Sequence, residues 1–287
     1  MKTDGRTRTC GLIGNPVEHT LSPVIHNTLA DAFSHNLVYV PFRVELERIE
    51  DAVRGAYALN ILGCNVTVPY KSAVIPYLAD IDPMAAKIGA VNTLLRTEGG
   101  YKGYNTDLPG LYRAMVSDGV RIKGEQVLIL GAGGVARAVA MLMADKEAER
   151  IVIINRTVPK AVELAEEIRR FYPNVIAEAA GLDELSRFNE KKAYIAIQAT
   201  NIGMFPKCNE TLIENPEFYE AVHTGYDMIF NPADTKFMQM VREHGGKAYN
   251  GLKMLLYQGI IAYELWNNVE VGEALAEMIY DKMKKNG

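Results

Sequence analysis

A glycine-rich turn between an apolar segment and an alanine-rich segment constrains the fold of this chain most strongly. Residues 127–130 are Val, Leu, Ile and Leu, a composition typical of a buried strand. Gly131, Gly133 and Ala136 follow with the spacing GxGxxA. Such residues permit a tight turn, the approach of a pyrophosphate to the backbone, and close packing of helix on strand. A second apolar strand at 150–154 completes the unit. The pattern predicts a Rossmann-type dinucleotide-binding domain.

The residues after the second strand favour NADP over NAD. An NAD site usually has Asp or Glu here, which binds the ribose 2′-hydroxyl. This chain has Asn155, Arg156 and Thr157 instead, with Lys160 close behind. A guanidinium group can pair with a 2′-phosphate, which a carboxylate would repel. The alternative is that these cations are solvated, but the start of a helix favours anions rather than cations. We therefore predict NADP as the cofactor.

Length and charge limit the class of protein. A chain of 287 residues predicts two domains, each with its own core. The net charge of −4, from 31 basic and 35 acidic residues, argues against nucleic acid as a partner. Residues 1–8 are polar and no apolar run reaches membrane-spanning length. We expect a soluble, cytoplasmic protein with no membrane partner, and a monomer or a homodimer.

The cysteines and histidines do not indicate a metal site. Three widely spaced cysteines provide neither a disulfide framework nor a CxxC pair, and we expect them to be buried. His19 and His26 are separated by Pro23, which interrupts any shared helical face. We predict no bound metal. The three cysteines are Cys10, Cys64 and Cys208.

The first hundred residues alternate apolar strands with amphipathic helices, which predicts an α/β domain of their own. The predicted strands are 10–13, 38–44 and 63–68, and the predicted helices are 23–32, 49–59, 73–78 and 83–88. Segments 91–95 and 101–104 are predicted to form a hairpin. Beyond Leu108 we predict a helix, the glycine-loop unit, and strands near 175, at 194–199 and at 226–230. The final helices, 252–266 and 271–284, can pack on either domain.

Polar residues of the first domain cluster where its strands end. Thr20 and Ser22 follow the first strand, while Asn65 and Thr67 share one face of the third. In α/β sheets, ligands bind beyond the carboxyl ends of the strands. The cluster therefore predicts a substrate site. Lys71, Asn92 and Asp107 lie at comparable strand ends.

Each of these residues also has a purely structural interpretation. Ser22 and Asp107 can cap helices, and Thr20 can close a turn. Lys71 can be a solvated surface lysine. The two polar residues of the third strand can face outward on an edge strand, although Asn is disfavoured in strands. Periodicity alone leaves these alternatives open.

Several motifs, in order along nearly the whole chain, resemble the shikimate dehydrogenase family, including its quinate/shikimate branch. They are NPxxHTxSP at 15–23, NVTxPxK at 65–71, GAVNT at 89–93, GYNTD at 103–107, GAGG at 131–134, NRT at 155–157 and QG at 258–259. The resemblance implies an α/β protein of two domains. It also implies NADP-dependent, reversible reduction of 3-dehydroshikimate to shikimate, a step of aromatic amino-acid biosynthesis.

The resemblance also implies roles for individual residues. It assigns Lys71 and Asp107 to catalysis. The implied substrate-binding residues are Thr20, Ser22, Asn65, Thr67, Asn92 and Gln258. The implied NADP-binding residues are Gly131, Ala132, Gly133, Gly134, Val135, Asn155, Arg156, Thr157, Lys160, Met228 and Gly251, the last near the nicotinamide. It further implies a substrate domain at 1–107, to which helices in 250–287 return, and a Rossmann domain at 108–249.

Hydride transfer to a ketone creates an alkoxide, and a positioned ammonium group can donate a proton to it. Our hypothesis is that Lys71 is this acid, and the base in the reverse direction. Asp107 would orient the lysine and hold a substrate hydroxyl.

Two positions depart from the family pattern, which usually has serine at Thr20 and tyrosine at Phe230. Thr20 adds a methyl group and Phe230 removes a phenolic donor. A lost hydrogen bond to a ligand costs about 1–3 kcal/mol. Quinate, oxidised with NAD or NADP, is therefore an alternative substrate. Two further alternatives are a non-catalytic module that senses NADP or a metabolite, and another Rossmann dehydrogenase with an unrelated substrate.

Overall fold

The computed structural model describes residues 3–286, which form two compact units. The first unit takes the chain up to Leu111 and resumes at Met254, while the second runs from Tyr112 to Lys253. The C-terminal helices therefore return to the first unit, as the resemblance implied. Each unit is an α/β structure built on one six-stranded sheet.

The elements of the first unit alternate along the chain much as periodicity predicts. Its strands are β1 (Arg8–Gly14), β2 (Leu37–Arg43), β3 (Gly63–Val66), β4 (Asp80–Ile81), β5 (Thr93–Thr97) and β6 (Gly100–Tyr104). Its helices are α1 (Ser22–Ala32), α2 (Ile49–Ala58), α3 (Pro83–Ile88) and the start of α4 (Asp107–Ser117). The predicted hairpin is confirmed, because β5 and β6 pair antiparallel from Thr97–Gly100 to Thr93–Tyr104.

The strand order of the first sheet is β2-β1-β3-β5-β6-β4. β1 pairs parallel with β2 and β3, and β5 runs antiparallel to both β3 and β6. The carboxyl ends of β1, β3 and β6 and the start of β5 consequently share one edge of the sheet. We call this the site edge. The loops at the site edge carry the polar residues that the sequence analysis singled out.

The core of the first unit comes from the buried faces of its helices and strands. In α2, Ile49, Val53 and Ala56 are buried at a helical spacing and pack with strand residues such as Val66 and Leu94. Each fully buried Val, Leu or Ile stabilises the fold by about 1.5–3 kcal/mol relative to the exposed residue. The core thus fixes the strands, and with them the loops at the site edge.

Three local predictions are wrong for identifiable reasons. Ser22 does not cap α1; it is the first helical residue, and no side chain caps the helix at Leu21. The strand predicted at 63–68 ends at Val66, since the chain turns at Thr67. The helix predicted at 73–78 is only a 3₁₀ turn, Ile75–Tyr77, because the proline at its centre has no N–H to donate.

The second unit is an all-parallel sheet with the strand order β9-β8-β7-β10-β11-β12. This is the strand order 3-2-1-4-5-6 of Rossmann dinucleotide-binding domains. Its strands are β7 (Gln126–Leu130), β8 (Arg150–Ile154), β9 (Ile176–Ala180), β10 (Tyr194–Gln198), β11 (Val222–Asp227) and β12 (Lys247–Tyr249). Its helices are α5 (Gly134–Asp145), α6 (Val158–Phe171), α7 (Pro216–Glu220) and α8 (Lys236–Glu243).

Strands β7, β8 and β10 are buried on both faces, which explains why they read as continuous apolar runs rather than alternating ones. The strand predicted to end at Phe230 is β11, which ends at Asp227 instead. The Asp227 carboxylate accepts hydrogen bonds from Ile229 N and Thr235 Oγ1, and these bonds form the turn that follows the strand. Two long helices, α9 (Leu252–Asn267) and α10 (Glu273–Asn286), end the chain.

Within residues 3–286, no helix has the length and apolar character needed to cross a membrane. No group of three or more His, Cys, Asp or Glu side chains in the same range is arranged to hold a metal ion. Cys10 and Cys64 are buried, as predicted, but Cys208 is only partly buried.

Candidate active site

Lys71 and Asp107, distant in sequence, form a hydrogen-bonded ion pair at the site edge. Lys71 Nζ donates to Asp107 Oδ2 at 2.7 Å, and the two side chains are 34% and 23% exposed. Val91 N donates to Lys71 O, and Asn105 Oδ1 accepts from Asp107 N, so both backbones are held in place. A partly exposed ion pair contributes at most about 1 kcal/mol to stability. Its position is therefore better explained by chemistry than by folding.

Asn92 lies at the start of β5 with half of its amide group already used. Its Oδ1 accepts hydrogen bonds from Thr106 N at 2.7 Å and from Thr93 Oγ1 at 3.0 Å. Its Nδ2 is buried and has no hydrogen-bond partner among residues 3–286. A buried donor left unpaired costs about 1–3 kcal/mol. A ligand oxygen that accepted from this group would remove that cost.

Asn65 is held by the protein on every side. Tyr39 Oη donates to Asn65 Oδ1 at 2.8 Å, and Asn65 Nδ2 donates to Thr93 Oγ1 at 3.2 Å and to Asn92 O at 3.3 Å. The interpretation of Asn65 as an outward-facing edge residue is wrong, because β3 lies between β1 and β5 and Asn65 is buried. One lone pair of Oδ1 remains for a ligand donor.

Thr20 and Ser22 form one polar group after β1. Thr20 Oγ1 donates to Ser22 Oγ at 3.1 Å and accepts from Ser22 N at 3.2 Å. Thr20 therefore closes the turn that leads into α1. This agrees with its structural interpretation, and its role as a substrate ligand stays a prediction. Nearby, the methyl group of Thr67 packs against Gly14, where any side chain would clash with it. The hydroxyl groups of both loops lie at the site edge.

Gln258 lies on α9, close to the backbone of α4. Its side chain is nearly buried and its Nε2 donates to Leu255 O at 2.8 Å. A Cβ added at Gly110 would lie 2.7 Å from Gln258 N and 2.9 Å from Gln258 Cα. Only glycine permits this approach of the two helices. The importance of Gly110 could not be predicted from the sequence, because a glycine within a helix indicates a close contact only when the neighbouring helix is known.

His26 is a second residue that sequence reasoning missed. It follows Ser22 by one helical turn, it is fully buried, and its ring stacks on Tyr39 with centroids 4.1 Å apart. Neither ring nitrogen has a hydrogen-bond partner among residues 3–286. Burial lowers the pKa of His26 to about 3, and the nearby Asn65 side chain acts in the opposite direction. His26 is therefore neutral at physiological pH and supports Tyr39, which in turn holds Asn65.

The glycine loop of the second unit has the geometry that the sequence predicted. Gly131 has φ +115°, and a Cβ there would lie 2.9 Å from Thr200 Cγ2, so the turn requires glycine. Gly133 and Gly134 have nothing within 4 Å of an added Cβ, which leaves open space beside the loop. No side chain caps α5, so its first N–H groups are available to an anion. The helix packs closely through Ala136, which is fully buried.

A cavity of about 310 Å³ lies beside this loop and reaches the face of α6. It is lined by Ala132, Gly133, Gly134, Arg137, Lys160, Glu163, Leu164 and Glu167. Val135 is half-exposed at the start of α5. The cavity therefore combines free backbone donors with two cations and two carboxylates.

The segment after β8 presents positive charge without internal partners. Asn155 Nδ2 donates to Thr157 O at 2.9 Å and shapes the turn. Arg156 and Lys160 are exposed, and neither side chain forms a hydrogen bond or ion pair within residues 3–286. Cations at a helix start are electrostatically disfavoured unless an anion joins them. The arrangement favours a phosphate group at this position.

Met228 and Gly251 lie against each other in the second unit. Gly251 N donates to Ile229 O at 3.0 Å, and a Cβ at Gly251 would lie 2.5 Å from Met228 O. The turn after β11 can adopt this conformation only with glycine at 251. The buried Asp227 carboxylate holds this turn in position. Burial raises the pKa of Asp227 to about 6.

Comparisons with known proteins find matches in each of the two units. Residues 12–94 match the family model for the shikimate dehydrogenase substrate binding domain, and residues 114–202 match that for shikimate / quinate 5-dehydrogenase. The shikimate dehydrogenase (NADP(+)) of Caldanaerobacter subterraneus subsp. tengcongensis is 40% identical over 285 residues, which cover 99% of each chain. The chain belongs to the shikimate dehydrogenase family.

Solved structures of shikimate dehydrogenases have the same fold. A shikimate dehydrogenase in complex with NADP+ is 38% identical, covers 98% of each chain and has a TM-score of 0.85. The shikimate 5-dehydrogenase of Listeria monocytogenes, in complex with shikimate and NAD, is 30% identical with a TM-score of 0.86, over 99% of this chain and 98% of that one. The predicted fold class and family are confirmed.

Thr20 and Phe230 are the two positions that the sequence analysis noted as departures from the family pattern. The hydroxyl of Thr20 is retained and is already bonded to Ser22. Phe230 is 41% exposed, and its side chain has no hydroxyl group. The two side chains therefore differ in what they offer a ligand: Thr20 has a hydroxyl group and Phe230 has none.

Proposed function

We propose that this chain catalyses the reversible, NADP-dependent reduction of 3-dehydroshikimate to shikimate, a step of aromatic amino-acid biosynthesis. The observation that carries the proposal is the 2.7 Å contact between Lys71 Nζ and Asp107 Oδ2 among the polar loops of the site edge. Membership of the shikimate dehydrogenase family supports the choice of reaction.

Lys71 is the proposed general acid. Reduced NADP supplies the hydride, and the carbonyl oxygen of the substrate then needs a proton, which the Lys71 ammonium donates. Asp107 is a hydrogen-bond acceptor that keeps the ammonium group in one orientation. In the oxidation of shikimate, neutral Lys71 would remove the hydroxyl proton by the reverse path.

The substrate is proposed to bind in the polar loops of the first unit. Ser22 is proposed to donate its hydroxyl proton to the ring carboxylate, and Thr20, which donates to Ser22 Oγ, is the other proposed substrate contact of this loop. Asn92 Nδ2, the buried donor without a partner, is suited to a ring hydroxyl. The other proposed substrate contacts are Asn65, Thr67 and Gln258.

The cofactor is proposed to bind in the second unit. The open space beside Gly133 and Gly134 suits the pyrophosphate, and Arg156 with Lys160 suits the 2′-phosphate. The other proposed contacts are Gly131, Ala132, Val135, Asn155, Thr157, Met228 and Gly251. NAD lacks the 2′-phosphate and would gain nothing from the two cations, so NADP is the proposed cofactor.

The experiment is a matrix of two acids and two cofactors. Shikimate and quinate are each assayed with NADP and with NAD, and kcat/KM is obtained from absorbance of the reduced nicotinamide. The proposal expects the highest kcat/KM for shikimate with NADP. If binding of NADP occurs without turnover of either acid, the chain is a sensor and the proposed activity is wrong. If neither acid reacts and other hydroxy acids do, the substrate is wrong.

Quinate is the second candidate substrate, and Thr20 is the observation that favours it. Thr20 carries a methyl group that serine would lack, beside the proposed carboxylate site, and Phe230 provides no phenolic donor. The variants Thr20→Ser and Phe230→Tyr are assayed in the same matrix. A quinate enzyme should shift toward shikimate in these variants, whereas a shikimate enzyme should change by less than about five-fold.

We further propose that the protein works in the cytoplasm, where reduced NADP is available, as a monomer or a homodimer. Size-exclusion chromatography with light scattering separates these two states.

A further inference from the structure

We infer that Arg137 acts as a positioning residue for the cofactor, by neutralising the Glu167 carboxylate that would otherwise repel the phosphates of NADP. The inference rests on the proposed function, because it concerns the same nucleotide site. It assigns a role to two residues that lie outside the glycine loop and outside the 155–160 segment.

Arg137 and Glu167 lie on two different helices beside the same cavity. Arg137 lies in the first turn of α5, and Glu167 lies near the end of α6. Both line the 310 Å³ cavity together with Gly133 and Gly134. On α6, Lys160, Glu163, Leu164 and Glu167 are spaced three, four and seven residues apart and share one face. A proposed phosphate ligand and two carboxylates thus face the same space.

The contact between Arg137 and Glu167 is two-pronged. Arg137 Nε donates to Glu167 Oε2 at 2.8 Å, and Arg137 Nη2 donates to Glu167 Oε1. Both carboxylate oxygens are therefore engaged by one planar guanidinium group. The two side chains are only 35% and 20% exposed, so solvent screens the pair incompletely. The hydrogen bonds to Glu167 raise the pKa of Arg137 further above its usual value.

The charges of the side chains that line the cavity are balanced. Arg137 and Lys160 oppose Glu163 and Glu167, so the four lining side chains sum to zero. Removal of the Arg137 charge would leave a net negative cavity beside a pyrophosphate. Coulomb repulsion between such charges at protein-surface dielectric weakens binding on the order of ten-fold. The guanidinium group also ties α6, which starts near Arg156, to the helix that starts at the glycine loop.

The test is a double-mutant cycle on the full chain, with the Kd of NADPH measured by fluorescence titration. Arg137→Met removes the charge and keeps the apolar stem, and it should raise Kd about ten-fold, with a smaller effect at high salt. Glu167→Gln should lower Kd two- to five-fold. The double variant should return to within about three-fold of the original protein. Thermal unfolding of each variant checks that it is folded.

Other outcomes overturn the inference. If the double variant binds as weakly as Arg137→Met, the guanidinium group contacts the phosphates directly and shields nothing. Arg137→Lys keeps the charge but not the two-pronged contact and should stay within about three-fold; a ten-fold loss would show that shape rather than charge matters. If Arg137→Met does not fold, the single variants Arg137→Lys and Glu167→Gln decide the question. If the original protein fails to bind NADPH, the proposed function is wrong instead.

Discussion

The ammonium group of Lys71 is held by one carboxylate, and the same contact serves both directions of the proposed reaction. As a donor to Asp107, Lys71 keeps one of its protons oriented and leaves the others for a substrate oxygen. The pair is partly open to solvent, so a substrate can reach it. The following prediction isolates this contact from the effect of any lysine–aspartate pair.

Lys71→Met should lower kcat by about 10²–10⁴, because the proton donor is lost, and should change KM much less. The matched control is Lys102→Met, which breaks a lysine–aspartate pair of the same 2.7 Å length, to Asp80, away from the site edge. The control should keep kcat within about two-fold. Initial rates of NADP reduction give both constants. If turnover of Lys71→Met stays within ten-fold, Lys71 binds substrate but does not transfer the proton.

His26 makes stability depend on pH in a definite direction. Burial lowers its folded pKa to about 3 from 6.5, so between these values the unfolded chain binds a proton that the folded protein excludes. The contribution of neutral His26 to the free energy of unfolding is complete above pH 6.5 and is lost as the pH falls from 6.5 to 3. His26→Phe does not titrate. Between pH 7 and 5 the original protein should therefore lose about 2 kcal/mol more than the variant.

This effect is measurable by urea unfolding followed through Trp266, the single tryptophan of the chain, whose ring centroid lies 5.0 Å from that of His26. The same signal at both pH values reports on the first unit. If the two proteins lose equal stability, His26 is protonated in the folded state and our account of its burial is wrong.

The contact between Lys71 and Asp107 was predictable from the motifs that contain them, while their roles stay a prediction. Lys71 and Asp107 were proposed as partners from sequence, and the structure brings their side chains into contact. The edge-strand alternative for Asn65 could be excluded only from the strand order, which is not a local property. His26 entered the sequence analysis only as an unsuitable metal ligand, since nothing local shows that a ring will stack on Tyr39.

At the scale of the elements, the site depends on a helix contact that tolerates no side chain. α4 and α9 approach until Gly110 meets the backbone of Gln258. Asp107 lies one turn before Gly110 on α4. The spacing of the two helices therefore sets the position of a proposed catalytic residue and of a proposed substrate ligand together.

Gly110→Ala should separate the helices, because its Cβ would lie 2.7 Å from a backbone nitrogen that cannot rotate away. Overpacking of this kind costs about 1–3 kcal/mol. We also expect KM for shikimate to rise at least about five-fold, on the scale of one weakened ligand hydrogen bond. Unfolding curves and initial rates measure the two effects.

The control is Gly55→Ala in α2, where an added Cβ meets nothing within 4 Å. A helical glycine replaced without a clash should gain about 0.4–1 kcal/mol of stability and leave KM unchanged. Equal behaviour of the two alanine variants would show that α4 and α9 have room to spare.

Most elements were predictable from periodicity, since burial imposes it. α2 and the strands of the second unit follow the expected patterns closely. The failures occur where hydrogen bonds or proline override apolar pattern, as at the end of β3 and in the Ile75–Tyr77 turn. The edge strand β12 is only three residues long and has no fully buried residue, so it left no periodic signal.

At the scale of the whole molecule, the proposed cofactor contacts all lie in one continuous unit. The glycine loop, the 155–160 segment and Gly251 fall between Tyr112 and Lys253. This unit has its own buried core, built from residues such as Leu128, Phe218 and Val241. Binding of the coenzyme and turnover should therefore be separable.

A fragment of residues 107–253 should fold and bind NADPH with a Kd within about ten-fold of the full chain, yet show no turnover without Lys71. The salt bridge from Lys253 to Asp118, 3.0 Å long, closes its ends. The control is Gly133→Asp, which finds open space and should fold, but places a carboxylate at the pyrophosphate position and should abolish binding. Circular dichroism and fluorescence titration give both readouts. An unfolded fragment would show that the second unit depends on the first.

The presence of two units was predictable from length and from the glycine-loop pattern, but the destination of the last helices was not. Their periodicity fits either partner, and only the family resemblance pointed to the first unit. In the structure, Trp266 on α9 donates from Nε1 to Leu94 O at 2.9 Å, and His35 contacts Tyr263. Such contacts join residues far apart in sequence, which no local pattern encodes.

The return of the chain to the first unit after Met254 has a consequence for biosynthesis. A ribosome makes residues 1–111 of that unit first, yet their packing lacks α9 and α10 until the codons for residues 254–287 are translated. The coenzyme unit, made in between, is complete earlier and can fold while synthesis continues. A premature stop codon late in the message would therefore spare the coenzyme half and damage the half that was translated first.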